Sequence, residues 1–476
     1  MTSRSTLLRN FLALLCSEFI VRGAASVGAI LIARSLGPKQ YGILAVALSS
    51  SFIAGYLCDL GMTHLTLQKS ALPGVDLRVL LNTMLTARLA LTAAVTGVSL
   101  AWILFGYKDH ESRSVMLLLV LPSIWGISLQ GFGASYFWLK QELHISSAIK
   151  TVGQLLMALA LLISFILKLP ILWVAASYGA VSLIGGVATI WIFRLRAGRV
   201  SGWDPTLLHG LTGFTLGGIA GMALPQVGPI LLQRVTNPFQ LGCFAAAFRI
   251  PAALCAIPGS VALAWYPQLF HLGVNDEAEH LEKCAQEIKI IVILGIGLVL
   301  PLFLYPALII RSILGESWVV VAAPVLSILC WMAVLSSIAG PLGDALATKG
   351  LQMRKALIYF LSLLLGAALY SRLGHTAGAL GGGWAAVLTT AALCAGLVLA
   401  NPTGLQLAAA ALRKSLRSIL IACAAGVTAR MILPQNIFSA ALVFTAFFCV
   451  VAIADDELRG GARWAIGCLR LKWESA

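Results

Sequence analysis

The sequence has few charged residues. Asp, Glu, Lys and Arg make up only 11% of its 476 residues, whereas a soluble domain carries roughly 25%. Hydrophobic residues reach 59%, and the mean hydropathy is +0.93. With so few polar side chains the chain cannot cover its core with a water-exposed surface, which excludes a soluble protein.

Metal-binding and catalytic patterns are also missing. The ten Cys residues form no CxxC pair and no Cys/His cluster at metal-ligand spacing, so we predict no metal site and interpret them as small core residues. No carboxylate pair, Ser-His-Asp set or phosphate-binding loop stands out. The net charge of +15 is spread singly between apolar runs, so nucleic-acid binding is not expected. We therefore expect a protein that is not an enzyme and has no cofactor.

The sequence consists instead of a long series of apolar runs. A helix crosses the bilayer with about 20 apolar residues, and runs of this length predict about fourteen transmembrane helices in an all-α polytopic membrane protein. The run that follows Arg4 and Arg9 is too long for a signal peptide and is expected to remain as the first span. The predicted spans are residues 11–36, 41–65, 79–105, 115–139, 148–167, 171–193, 210–232, 241–265, 287–310, 318–345, 356–372, 376–399, 416–433 and 437–454.

Lys and Arg between the spans predict the orientation, because cytoplasmic loops retain these residues during insertion. When the N-terminus is placed inside, most of the basic residues fall into inside segments, including clusters at 194–199, 349–355, 413–417 and 459–472. Both termini are therefore predicted to lie in the cytoplasm, which requires an even number of spans.

An internal repeat is visible at a shift of 200 residues. The segment GAILIARSLGPKQYGILAVA from Gly28 aligns without a gap with GPILLQRVTNPFQLGCFAAA from Gly228, and nine of the twenty positions are identical. Shared membrane composition explains matching Ala, Ile and Leu, but not the matching Arg, Pro, Gln and Gly. Six spans separate the copies, so the two halves have the same orientation and are related by an axis along the membrane normal. We predict two pseudo-symmetric six-helix bundles at 1–200 and 201–400, followed by two extra spans and a basic tail at 401–476.

Several short passages carry a family resemblance. They are LGPKQYG at 36–42, DLG at 59–61, AWYP at 264–267, GESW leading into APVL at 315–326, and GPLGD leading to Gly350 at 340–350. In this order the chain resembles a polysaccharide-export flippase of the multidrug/oligosaccharidyl-lipid/polysaccharide (MOP) superfamily. That superfamily includes O-antigen-type flippases, the lipid II flippase and MATE-like multidrug extruders. The two extra C-terminal spans depart from the usual twelve-span O-antigen flippase and leave the glycan open.

The resemblance implies a protein of the bacterial inner membrane. It implies movement of an undecaprenyl-pyrophosphate-linked oligosaccharide from the cytoplasmic to the periplasmic leaflet by alternating access, with Na⁺ or H⁺ as the candidate coupling ion. Membrane lipids, a polysaccharide polymerase and chain-length proteins are the other partners it implies. The alternatives are an ion-coupled multidrug extruder of the same superfamily and a polytopic polysaccharide polymerase or glycosyltransferase.

Cations inside the spans are the first candidates for a binding site, because a charge near the bilayer centre costs about 2.5–3.5 kcal/mol on insertion scales. Arg22, Arg88 and Arg249 are the deepest, and we predict that they bind the substrate pyrophosphate through paired guanidinium donors. Glu18 lies one turn before Arg22 and can form a neutralising pair with it. Arg88 either lines the cavity or pairs with a neighbour such as Asp59. The lipid II flippase is similar in using cavity arginines from its first and eighth helices, which here hold Arg22 and Arg249.

Carboxylates are the candidates for ion coupling. Glu18, Asp59 and Asp344 are predicted to bind the coupling proton or sodium ion, since relays in transporters use such groups. Asp59 and Asp344 also lie in Gly-rich turns, where the alternative is the capping of a helix end.

Span 7 is the candidate gate. Pro225 and Pro229 remove backbone hydrogen bonds, and Gly217 and Gly218 remove side-chain bulk nearby. We predict that this span is bent or discontinuous, with close packing through small residues as the alternative interpretation.

Overall fold

The computed structural model describes residues 4–70, 74–198, 200–209 and 218–454, with side chains from residue 26 onward except at 143, 263, 264 and 274. Within these residues the chain is helical and has no strand. The helices are α1 Arg4–Leu57, α2 Met62–Ser70, α3 Leu77–Gly106, α4 His110–Leu139, α5 Leu143–Ile166, α6 Ile171–Ala197, α7 Val227–Val235, α8 Pro238–Leu254, α9 Ala256–Asn275, α10 Glu277–Leu304, α11 Pro306–Ile313, α12 Glu316–Thr348, α13 Gln352–Ala400, α14 Gly404–Ile432 and α15 Ile437–Ala454.

The all-α polytopic architecture is confirmed. Among the described residues, 11 helical segments are long and apolar enough to cross a membrane. Two of them contain a break: Gly37 in α1 has φ 74°, and Gly378 in α13 has φ 57°. These left-handed conformations favour glycine. Gly37 falls in the turn that the sequence places between spans 1 and 2, and Gly378 lies two residues inside predicted span 12. Predicted span 7 lies partly outside the described residues, so the count of fourteen stays a prediction.

Two helices begin ten to twelve residues before the spans predicted for them. The sequence places the start of span 9 at 287 and that of span 13 at 416, whereas α10 begins at Glu277 and α14 at Gly404. Asp276 caps α10 by accepting a hydrogen bond of 2.9 Å from the Glu279 amide. Hydropathy locates the bilayer and not the helix end, so a charged helical extension is invisible to it.

The two copies of the repeat contact each other. α1 packs along α8, and Gly42 faces Gly242. A Cβ on Gly42 would collide with the Pro238 carbonyl oxygen, and a Cβ on Gly242 would collide with the Pro38 carbonyl oxygen. Each glycine thus packs against the proline carbonyl of the other copy. Two like-oriented elements related by a two-fold axis make such reciprocal contacts. The boundaries at residues 200 and 400 stay a prediction.

Span 7 is interrupted where its prolines lie. A helical segment at 218–223 ends in a turn at 224–226 that contains Pro225, and α7 then begins at Val227. Pro229 is buried in the first turn of α7, where its missing amide hydrogen breaks no intrahelical bond. A discontinuous span 7 is therefore present, and its role as a gate stays a prediction. Gly217 lies outside the described residues.

Candidate functional site

The two halves meet at what we call the Gly42–Gly242 seam, formed by the first turns after Pro38 and Pro238 and the contacts around them. Beside the glycine contact, the Tyr107 hydroxyl donates a hydrogen bond of 2.9 Å to Gln233 Oε1. Because Tyr107 follows α3 and Gln233 belongs to α7, the bond joins the two predicted halves. The seam closes the space between the halves at this end of the bundle.

A cavity of about 230 Å³ lies at the seam and is lined by both halves, with Lys108 and Arg234 among its residues. Asp109, at its edge, caps α4 by accepting hydrogen bonds from the amide and the hydroxyl of Ser112 at 2.9 and 2.8 Å. These bonds stabilise the ionised carboxylate and lower the pKa of Asp109.

Gly242 offers a direct test of the seam. Gly242→Ala adds a methyl group against the Pro38 carbonyl oxygen, and overpacking of this kind costs about 1–3 kcal/mol. We expect the variant to shift the population away from the closed seam by roughly tenfold or more. The measurement is electron–electron resonance between spin labels at residues 108 and 234, in a background without accessible cysteines.

The control for this variant is Gly259→Ala, because nothing lies within 4 Å of a Cβ at Gly259. An unchanged distance distribution in Gly242→Ala, equal to that of the control, would show that the seam does not depend on the glycine contact.

The opposite end of the interface, which we call the Tyr56 mouth, is more open. Tyr56 lies fourteen residues after Gly42, which is roughly 20 Å along the helix. Its hydroxyl packs on the backbone of Gly218, so the predicted gate glycine contacts the other half. Beside this contact is a cavity of about 420 Å³, lined from both halves by His64, Gly221, Met222, Gln352, Lys355 and Tyr359 among others.

Arg249 lies between the seam and the mouth. It follows Gly242 by seven residues, roughly 10 Å along α8, and is half-buried. Tyr178 of α6 is close enough for an electrostatic interaction with the guanidinium. In the described part of the chain no carboxylate lies within 4 Å of Arg249. The arrangement leaves a positive charge between the halves that has no anionic partner in the described part of the chain.

Arg88 and Asp59 are brought together by the fold. Arg88 Nη1 lies 2.6 Å from Asp59 Oδ1, and the two side chains are only 6% and 13% exposed. Asp59 also accepts hydrogen bonds from the Gly61 amide and from the hydroxyl and amide of Thr63, so it caps α2 as well. The structure thus has the pairing that the sequence left open for Arg88, and the guanidinium charge is balanced within the protein. A substrate role for Arg88 stays a prediction.

Asp344 pairs with a lysine, and none of the described backbone amides donates a hydrogen bond to it. It lies in the last turn of α12, and its carboxylate pairs with Lys355 at the start of α13, with Nζ to Oδ1 at 3.1 Å. The side chains of Glu18 and Arg22 lie outside the described residues, so their predicted pairing and substrate contacts are not described.

Sequence reasoning missed Lys355 and Tyr178. A signal for Lys355 was available: an acid near the end of one span and a lysine at the start of the next, eleven residues later, can meet across the short turn between them. Nothing in the sequence distinguishes Tyr178 from the other aromatic residues of its span, because its position opposite Arg249 depends on how the halves pack.

A third cavity, which is apolar and has a volume of about 900 Å³, lies among α10, α12, α13 and α14. Its lining is almost entirely hydrophobic and includes Phe303, Trp331, Val334, Leu412 and Met431. α14 is the first of the two extra C-terminal spans, so this span completes a groove with the second half of the protein. Such a surface is suited to hydrocarbon and not to water.

The fold is shared with known transporters. The chain is similar to the lipid II flippase MurJ in its inward closed conformation, with a TM-score of 0.72 and 12% identity, over 93% of this chain and 99% of that one. It is also similar to a multidrug resistance MATE family transporter of the MOP superfamily in an inward-facing conformation, with a TM-score of 0.56 and 15% identity over 84% and 95%. At these identities the likeness concerns the fold.

Family membership rests on the sequence. A search of the curated proteins finds no significant match. The family model for polysaccharide biosynthesis proteins matches residues 7–272, which is more than half of the chain. The match covers most of the first predicted half and the residues of the second half that form the seam. The chain is therefore a multi-pass membrane protein that has the MOP-superfamily fold and belongs to the polysaccharide biosynthesis protein family.

Proposed function

We propose that this protein is a flippase that moves an undecaprenyl-pyrophosphate-linked oligosaccharide from the cytoplasmic to the periplasmic leaflet of a bacterial inner membrane. The observation that carries the proposal is Arg249, an arginine without an anionic partner among the described residues, placed between two halves that close on one side of it. A half-buried cation of this kind is stabilised by a ligand that neutralises it. A diphosphate supplies the missing charge, and its oxygens match the paired donors of a guanidinium group.

The closed seam and the more open mouth define one state of an alternating-access cycle. Under the predicted orientation the seam faces the periplasm and the mouth faces the cytoplasm, so this state receives substrate from inside. The head group enters through the mouth and reaches Arg249, with the Tyr178 hydroxyl as a second polar contact and Arg22 as the predicted second cation. Opening of the seam and closing of the mouth then expose the head group to the other side.

The apolar groove has a place in this cycle. A polyprenyl chain cannot leave the hydrocarbon phase without a large loss of free energy, because each buried CH₂ group is worth about 0.8 kcal/mol. The groove of α10, α12, α13 and α14 offers an apolar surface for the chain while the head group crosses. α12 and α13 also carry Asp344 and Lys355, so groove and mouth share two helices.

A comparison of lipids tests the proposed function. We expect the purified protein in proteoliposomes to translocate a polyprenyl-diphosphate oligosaccharide, and its phosphate-free analogue at least tenfold more slowly, since the loss of a charged partner costs about 1.5–3 kcal/mol. The measurement is the accessibility of a fluorescent glycan to a quencher outside the vesicles. Equal rates for both lipids, or translocation of amphipathic cations in their place, would favour a multidrug extruder.

A further inference from the structure

Glu287 is a buried acidic residue that has no role in the transport cycle proposed above. It lies in α10, ten residues after the first residue of the helix, and its relative exposure is 0%. Neither carboxylate oxygen has a hydrogen-bond partner among the described residues. A carboxylate in this position would carry a charge without solvent or donors, which is one of the most expensive arrangements in a protein.

The surroundings of Glu287 connect it to the Tyr56 mouth. Asp344 of α12 is within electrostatic range of Glu287 and pairs with Lys355, which lines the mouth cavity. The other ionisable groups around Asp344 are Cys284 on α10, Tyr266 on α9 and Tyr359 on α13. The buried acid therefore interacts electrostatically with one member of the Asp344–Lys355 pair, and Lys355 lines the water-accessible mouth.

Of the other helices that contact α10, α8 carries Arg249, and α11 carries Arg311, which pairs with Glu316. His280, two turns before Glu287 on α10, is buried and hydrogen-bonds with Thr348. Among the described residues, Asp344 is the charged group that acts on Glu287. On α14, Lys414 forms an ion pair with Glu282, and Arg413 and Arg417 are exposed. α15 contains no Asp, Glu, Lys, Arg or His. Lys289 of α10 is two residues away from Glu287 and therefore points to nearly the opposite side of the helix.

We propose that Glu287 is the site that binds a proton in this state, and that loss of this proton to the mouth drives a rearrangement of Lys355. While the acid is protonated, Asp344 is the carboxylate that holds Lys355. When the O–H bond of Glu287 breaks and the proton passes by way of Asp344 to water in the mouth, two carboxylates share one ammonium group. Lys355 is then drawn toward α10, and the N-terminal end of α13 moves with it at the mouth.

A proton suits the site better than a metal cation. A hard metal cation requires several oxygen ligands around it, whereas Asp344 already pairs with an ammonium group and neither carboxylate oxygen of Glu287 has a hydrogen-bond partner among the described residues. A proton needs a single oxygen. The coupling of this proton to glycan movement rests on the proposed function, while its presence on Glu287 does not.

Infrared spectroscopy tests the proton directly. We expect the purified wild-type protein at neutral pH to show the carbonyl stretching band of a protonated carboxyl group, and Glu287→Gln to lack it. Glu279→Gln is the matched control, because Glu279 is an exposed carboxylate two turns earlier on the same helix. Titration of the wild-type band with pH needs no variant. Identical spectra for the wild type and Glu287→Gln would overturn the proposal.

Flipping in proteoliposomes tests the coupling. We expect an inwardly directed proton gradient to accelerate the wild type and Glu279→Gln severalfold, and to leave the rate of Glu287→Gln unchanged. A wild type that responds to a sodium gradient and not to a proton gradient, or a Glu287→Gln variant that keeps the proton response, would overturn the coupling. If neither lipid-linked glycan nor any analogue moves, the proposed function fails, and the infrared result still decides whether Glu287 holds a proton.

Discussion

Arg249→Ala is expected to reduce the affinity for a polyprenyl diphosphate by about 100-fold and to abolish glycan export in cells. The reason is that a charge-assisted contact to a guanidinium group is worth up to about 3 kcal/mol, and every 1.4 kcal/mol is a factor of ten. The measurement is equilibrium binding of the lipid diphosphate to the purified protein, together with export in cells that depend on this protein. Arg249→Lys should recover part of the affinity, because an ammonium group keeps the charge but loses the paired donors.

The matched control for Arg249 is Arg311→Ala. Arg311 is exposed and pairs with Glu316 through hydrogen bonds of 2.5 and 2.9 Å in the α11 to α12 connection. Exposed ion pairs contribute little, about 0–1 kcal/mol. We expect binding and export to stay at the wild-type level in this variant. If Arg249→Ala exports glycan as well as Arg311→Ala does, Arg249 is not the diphosphate site and the proposed function loses its principal support.

Asp59→Asn is expected to destabilise the protein by about 3–5 kcal/mol. The change removes the negative partner of Arg88, which is 6% exposed and would be left as an uncompensated buried cation. The Thr63 and Gly61 bonds to residue 59 would also be weakened. Thermal unfolding of the purified protein in detergent is the measurement, and a clear fall in the midpoint temperature is the expected result.

Two further variants separate charge from packing at this pair. Glu142→Gln removes the partner of Arg196 in an exposed ion pair, with side chains 49% and 35% exposed, and should cost less than about 1 kcal/mol. The double variant Asp59→Leu with Arg88→Met should be more stable than Asp59→Asn, because it leaves no buried charge. If Asp59→Asn is as stable as the wild type, water reaches Arg88 and the loss of its partner leaves no buried charge.

Some details of the site were predictable from the chain and others were not. Asp59 was a predictable partner for Arg88, because the two lie on consecutive spans and few other charges are available. The contact of Gly42 with Gly242 follows from a repeat whose matched positions include both glycines. The burial of Glu287 was not predictable. Hydropathy places this residue at the start of span 9, because it does not show that α10 begins ten residues earlier and buries the acid.

The amino-acid sequence by itself determines the all-α membrane architecture and reveals the repeat at 28–47 and 228–247. Apolar runs of bilayer length and the arrangement of Arg, Pro, Gln and Gly in the repeat are local properties that can be read along one chain. Only the tertiary structure decided which charges are balanced. Arg88 is neutralised by Asp59, and Lys355 by Asp344, whereas Arg249 and Glu287 find no partner among the described residues. Pairing depends on distances of a few ångströms between helices that are far apart in sequence, and no pattern along the chain specifies them.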